Sequence, residues 1–427
     1  MTYYRCCLIG APATKFMLAM GAEPFHFGVL GGLATITMAC QLVAGTLANR
    51  LRRRKPVWMT LFVLHRLSFL GVLAAPGLFA TPTGRIWWII GVWLVHDSLI
   101  NLGDPLWFSW MTDLVPKEGF NAYWGRRQRL INGFDILGQI GIALWFGHYE
   151  AQGQIVHGFI VLGVFGIVLG VIDICLFSLV PEPLHQREES LPLVTALVEP
   201  FRNVEYRPFL LYRIYWSFAT MLAAPFFLPY LMGEMKYSAK SVQLLLVMHG
   251  LGMALSSGFW GRICDSCGFR PVMQFVTICK FIVPLTYLIL PSSFPYYFPI
   301  FVVMFAFDGC LNAAGNLSLR GFSLQCTPRR NRAMYVAAAT FVAMGLAGGS
   351  ASLLAGAFIK PFTTRLSFHL GAYAFTGYHV VFLASCLLRL GGLPLVRRLR
   401  EPDSRSFGEM ISSIRCTGLF GLRSPQR

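Results

Sequence analysis

Acidic side chains are scarce in this sequence. Only 19 Asp and Glu stand against 36 Lys and Arg in 427 residues, and charged residues of both signs make up 13% of the chain. Soluble domains carry roughly a quarter, so a water-exposed surface over the whole chain is excluded. No alternation of apolar and polar residues runs over about ten positions, as a membrane barrel strand would need. There is no H-E-x-x-H, no G-x-S-x-G and no acidic run suited to phosphoryl transfer, which argues against an embedded enzyme. The 11 cysteines are scattered mostly through apolar stretches. The lone Cys264-x-x-Cys267 has no second ligand pair nearby, so neither a metal nor any other cofactor is expected. Met1 to Met20 lacks the small-residue cleavage site of a secretory leader.

Long apolar runs fill the space that charge leaves. The chain is 55% hydrophobic with a mean hydropathy of +0.58, and Ile155 to Val180, Phe281 to Leu290 and Phe298 to Phe307 lie in such runs. A helix needs roughly 20 apolar residues to cross the hydrocarbon layer. Twelve predicted spans meet that need: 3–22, 28–48, 57–79, 86–108, 129–148, 155–180, 208–231, 242–260, 271–291, 295–318, 334–358 and 371–394.

The formal charge of +17 could suggest nucleic acid, but its placement argues for a lipid bilayer as the partner. Junctions after even-numbered spans hold Arg50, Arg52, Arg53, Arg54 and Lys55, then Lys117, Arg126, Arg127 and Arg129, then further arginines up to Arg332. Odd junctions hold only Arg85, Lys236, Lys240, Lys360 and Arg365. Cytoplasmic loops concentrate Lys and Arg, so the even junctions and the basic C-terminal tail are expected in the cytoplasm, and no nucleic-acid partner is expected.

Two motif pairs recur half a chain apart. Gly45-Thr-Leu-Ala-Asn49-Arg50-Leu-Arg-Arg53-Arg54 follows span 2, and Gly261-Arg-Ile-Cys-Asp265-Ser-Cys-Gly268-Phe-Arg270 follows span 8. Pro116 and Tyr123 follow span 4, and Pro328 and Tyr335 follow span 10, with the same spacing. Duplicated bundles of this kind build many transporters.

The loops after spans 2 and 8 resemble the signature of the major facilitator superfamily, roughly G-x-L-x-D-R-x-G-R-R/K. The segment Trp110 to Pro116 with Gly125-Arg126-Arg127 resembles bacterial members at the junction of helices 4 and 5, with a slight lean toward sugar–cation symporters. The resemblance implies an all-α membrane protein of two pseudo-symmetric six-helix bundles. It divides the chain into bundle 1–183, cytoplasmic linker 184–207, bundle 208–396 and basic cytoplasmic tail 397–427, which reads as disordered. Helices 1, 4, 7 and 10 would line a central cavity, and helices 3, 6, 9 and 12 would lie outermost. In the family, the acid of each loop approaches the positive end of a helix in the other half, which is worth about 0.3–1 kcal/mol. Gly45, Asn49, Arg50, Arg53 and Arg54, with Gly261, Asp265 and Arg270, are therefore the expected gating residues. Asn49 brings no charge, so the first latch is expected to be the weaker. Aligning the repeats also leaves helix 1 short, either because translation starts upstream or because the helix is truncated.

Ionisable groups at bilayer depth cost at least about 2.5–3.5 kcal/mol and therefore mark cavities or partners. Asp97, Asn101 and Asp104 share one face of span 4, and Asp308, Asn312 and Asn316 share one face of span 10. Asp97 and Asp308 lie within one residue of equivalent depth, counted back from Pro116 and Pro328. These six residues, with Trp216 of span 7, are the candidate solute- or ion-binding residues. Interhelical hydrogen bonding is the competing reading for the asparagines. His96 is expected to be a packing residue, Asp113 to pair with Arg126 or Arg127, Lys280 to form a peripheral ion pair, and Arg213 to lie at the interface.

The expected function is secondary active transport of a small solute by alternating access, coupled to a proton or cation, by a monomer in the cell's inner membrane. The alternatives are a transporter-like solute sensor and, further off, a membrane-embedded enzyme.

Overall fold

A computed structural model describes residues 2–115, 120–183, 193–290, 297–327, 332–370, 373–402 and 404–417. Among the described residues, eleven helices are long and apolar enough to cross a membrane: Pro24–Gly45, Lys55–Leu78, Pro82–Leu114, Arg126–Ala151, Ile155–Leu179, Arg207–Glu234, Ala239–Cys267, Phe269–Ile289, Tyr297–Cys326, Tyr335–Arg365 and Gly377–Arg397. They correspond to expected spans 2 to 12. Span 1 is present as two short helices, Thr2–Leu8 and Ala11–Ala19, parted at Gly10, whose φ of 87° is open mainly to glycine. Proline stands in the first turn of the helices that begin spans 2, 3, 4 and 7, where its missing N–H costs nothing. Large apolar side chains such as Leu137, Leu179, Leu255 and Val303 are exposed. In water such a surface would drive aggregation, and in a bilayer it is the solvent-facing side. A small β-hairpin, Phe368–Leu370 against Tyr373–Phe375, joins spans 11 and 12 and is the exception to the all-helical expectation.

The buried apolar residues show where the halves meet. One large cluster draws on both, placing Met20, Phe27 and Phe146 with Phe226, Leu231 and Ile359. The other clusters stay within one half. Trp58, Phe62, Trp110 and Ile174 pack in the first half, and Tyr206, Phe209, Met273, Phe322 and Tyr335 pack in the second. These single-half clusters sit near the basic junctions, and the shared cluster lies toward the opposite end. There, Gly28 and Gly356 bring spans 2 and 11 together so closely that a Cβ on Gly28 would lie 2.7 Å from the Gly356 Cα. Glu23 and Lys360 form an ion pair across the same junction (2.6 Å).

Two expectations about the soluble segments change. The linker contains an amphipathic helix, Leu193–Arg202, whose Glu199 accepts a hydrogen bond from Tyr335 (3.1 Å). The tail is not disordered through residues 404–417. Ser406 and Glu409 form a capping box, with Ser406 N–H donating to the Glu409 carboxylate (2.8 Å) and Glu409 N–H to the Ser406 hydroxyl (3.3 Å). The helix that follows, Phe407–Thr417, lays Met410 and Ile414 against Trp260, Ile263 and Cys264. The S-x-x-E signature and the apolar spacing at 407, 410, 411 and 414 explain the fold of this segment, which its basic composition obscures.

Candidate functional site

Span 8 crosses span 10 at two glycines. A Cβ on Gly252 would fall on the carbonyl oxygen of Ala306, and one on Gly309 on that of His249. This contact sets His249 beside Asp308, the residue before Gly309. Lys280 of span 9 completes the group. Its Nζ donates to Asp308 Oδ1 (2.8 Å) and to Asn312 Oδ1 (3.0 Å). Asn312 Nδ2 then donates to Asp308 Oδ2 (3.0 Å) and to His249 Nε2 (2.8 Å). With the amide oxygen facing an ammonium, this orientation of Asn312 satisfies every partner. His249 Nε2 also lies 3.5 Å from Asp308 Oδ2. A cavity of about 430 Å³ lies over the network, with Asp308, Asn312 and Asn316 on one wall and Arg213, Trp216 and Thr220 on another. On the other side of Asp308, a smaller and apolar cavity of about 200 Å³ is bounded by Phe227, Tyr287 and Phe305.

Prolines shape these walls by removing donors. Pro225 has no N–H for the carbonyl of Met221, and span 7 breaks into a 3-10 turn at Ala224–Phe226. Ser352 of span 11 donates to the Met221 oxygen instead (3.1 Å). Pro284 likewise leaves the Lys280 carbonyl without its helical donor, and Arg389 Nη1 of span 12 fills the place (2.8 Å). Arg389 also donates through Nε to Ser385 (3.2 Å) and is 3% exposed. Two helices that resemblance puts outermost, 9 and 12, thus deliver Lys280 and Arg389 to the cavity. A π-helical stretch, Phe341–Gly348, carries Met344 to the same wall.

The first-half residues lie elsewhere. Asp97, Asn101 and Asp104 are not among the lining residues of either cavity. Asp97 faces His96, whose Nδ1 lies 2.9 Å from Asp97 Oδ1, and Asn101 Nδ2 donates to the Asp97 backbone carbonyl (2.8 Å). Asp104 has an exposed side chain. His96 is no mere packing residue. Its Nε2 is 3.0 Å from the Tyr4 hydroxyl and its ring lies 3.9 Å from that of His65. Arg66 is fully buried beside this group, its guanidinium 4.0 Å from the centre of the Tyr4 ring and its nitrogens making no hydrogen bond among the described residues.

Comparison with known proteins agrees with the helical arrangement. The family model for the Major Facilitator Superfamily matches residues 217–420. A mutant form of the nucleoside transporter NupG superposes with a TM-score of 0.71 at 13% identity, covering 94% of this chain and 98% of that one. A D-xylose–proton symporter gives 0.64 at 13% identity, with 94% of each chain covered. A bacterial homologue of the human lysosomal transporter Spinster, in an inward-facing and unoccupied conformation, gives 0.57 at 15% identity, over 93% of this chain and 91% of that one. The second half of this chain thus matches the superfamily in sequence, and the whole chain is similar in fold to these transporters. No curated protein matches its sequence.

The loops that carry the superfamily signature are held by their own halves. Arg54 is buried and bonded to Ser109 and Asp113. Glu182 accepts from the backbone N–H groups of Arg54 and Lys55 at the start of span 3. The second half repeats the device, with Glu401 accepting from the N–H of Phe269 (3.1 Å) and Arg270 (2.8 Å) at the start of span 9. Arg270 Nη2 also donates to the Arg397 carbonyl (3.0 Å). Gly45, Arg50 and Arg53 are exposed, and Gly261 has open space where a Cβ would project. Asp265 is exposed and makes no hydrogen bond among the described residues. The side chain of Asn49 lies outside the described residues. Sequence reading missed both carboxylate caps, although Glu182-Pro183 and Glu401-Pro402 close the two halves alike. It also missed His249 and Arg389, which the same depth-and-charge test applied to spans 8 and 12 would have flagged.

Proposed function

We propose that this protein is a secondary active transporter that moves a small solute by alternating access and couples the movement to a proton or cation. The observation that carries the reading is a polar cavity inside an apolar bundle, with the buried cluster shared by the two halves lying toward the end away from the basic junctions. The basic junctions mark the other end as cytoplasmic, so this conformation faces inward, with the C-terminal tail in the cytoplasm of a bacterial-type inner membrane. Asp265, exposed and without a hydrogen bond among the described residues, accords with that state, because its latch would form when the cytoplasmic ends close.

Asp308 is the proposed coupling carboxylate. Its two oxygens are held by Lys280 and Asn312 beside His249, so a proton or cation arriving there competes directly with the Lys280 ammonium. Asp97 remains a second proposed ion site, in the first half, with His96 as its partner. Asn312, Asn316 and Trp216 are proposed as solute contacts in the cavity. The protein is proposed to work as a monomer, without a cofactor and not as an enzyme. The named resemblances include a D-xylose–proton symporter, which supports coupled transport without identifying the solute.

The test is counterflow and pH-jump uptake with purified protein in liposomes. Saturable flux that responds to a proton or sodium gradient and is lost in Asp308→Asn is the expected result. Binding without flux would identify a solute sensor instead.

A further inference from the structure

We infer that the solute of this cavity is a small organic anion, bearing a carboxylate or phosphate, with an apolar part that lies against Trp216. The inference rests on the transporter reading for its cavity and adds the chemical class of the cargo.

The argument is one of charge. Three cations line the cavity, Arg213, Lys280 and Arg389, and one carboxylate, Asp308. Lys280 and Asp308 satisfy each other at 2.8 Å. Arg389 is 3% exposed and has no carboxylate within ion-pair distance among the described residues. Its Nη1 and Nε serve a backbone carbonyl and a serine hydroxyl, which are dipoles and leave the full charge uncompensated. Arg213 makes no hydrogen bond or ion pair among the described residues. Two guanidinium charges are therefore unbalanced in a space walled by apolar helices. An unpaired charge in such surroundings is costly, and an arriving anion removes the cost. A neutral solute would leave it in place.

The geometry suits such a ligand. Arg213, Trp216, Ser217 and Thr220 recur at helical spacing on the cavity face of span 7, so a guanidinium, an indole and two hydroxyls lie along one wall. Trp216 is stacked on Tyr212 with ring centres 6.0 Å apart, and Tyr212 is anchored to Thr277 (3.0 Å). The indole is thus a fixed platform. A guanidinium presents paired donors that match the two oxygens of a carboxylate or phosphate. The sugar and nucleoside named for the similar structures are not anions, so the inference separates this chain from them by a feature of its own cavity.

The experiment uses full-length detergent-purified protein and matched probes: benzoate with benzamide, succinate with succinamide, and glycerol 3-phosphate with glycerol. Thermal shift and calorimetry are expected to show binding by at least one anion and about tenfold or weaker affinity for its neutral partner, the loss of about one charge-assisted contact. The phosphate and carboxylate arms distinguish the two headgroups. Arg213→Gln should weaken the anion by a similar factor, and Arg213→Lys should restore most of it. Equal binding of neutral partners, no binding by any anion, or anion affinity unchanged in Arg213→Gln would overturn the inference. Anion binding without counterflow would refute the transporter reading alone, and gradient-driven flux of neutral solutes only would refute the anion alone.

Discussion

Replacing Asp308 by Asn should leave three cations around the cavity with no carboxylate among them. At the observed 2.8 Å separation, the Lys280–Asp308 attraction is about 6 kcal/mol at an effective dielectric of ~20 and about 1.5 kcal/mol in bulk water. Lys280 and Asp308 keep 14% and 19% of their exposure, so the pair lies nearer the first limit. Removing one member of a pair buried in this way costs about 3–5 kcal/mol, most of it the stranded charge. Residual exposure puts the expectation for Asp308→Asn at the lower end, about 3 kcal/mol. Lys280→Met should cost less, because Asp308 still has Arg389 and Arg213 around the same cavity. The double variant should regain most of the loss. The assay is the apparent melting temperature of detergent-purified wild type, both single variants and the double variant, measured as one cycle. Additive losses in the double variant would refute the pairing, and a larger loss in Lys280→Met than in Asp308→Asn would refute the excess of positive charge.

Three further outcomes follow from the geometry. Gly309→Val should part spans 8 and 10, with a loss of about 3 kcal/mol or more from overpacking against the His249 carbonyl, seen as reduced melting temperature and loss of uptake. Gly28→Leu should wedge the halves apart where they now meet, so that labelling of engineered cysteines in the cavity from the outer side rises while the protein remains folded. Unchanged labelling would show that this contact is not the seal. Glu401→Gln should weaken the hold on the first N–H groups of span 9 by about 1 kcal/mol, the usual scale of a lost cap. Limited proteolysis should then cut the tail near Arg405 sooner than in the wild type.

The membrane class was legible in the sequence because hydrocarbon imposes a length and an apolarity on each helix, and eleven of the twelve expected spans appear as single crossing helices. The duplication was legible because the loop motifs repeat. The polar stripe of span 10 was legible because helical spacing alone puts Asp308, Asn312 and Asn316 on one face. Which side chains that face would meet was not legible. Lys280 and Arg389 reach the cavity from spans 9 and 12, and His249 arrives only because two glycines let spans 8 and 10 touch. The first-half stripe shows the same limit from the other side. Asp97 has matching depth and spacing, yet its partner is the adjacent His96 rather than a group in the second-half cavity.

Sequence by itself determined the solvent, eleven of the twelve expected crossings and the sign asymmetry of the loops, because each depends on the local run of residues and on the bilayer. Tertiary structure alone decided which charges are paired and which are stranded. That balance depends on distances of a few ångströms between helices far apart in the chain, and in an apolar interior it is where the largest electrostatic energies lie.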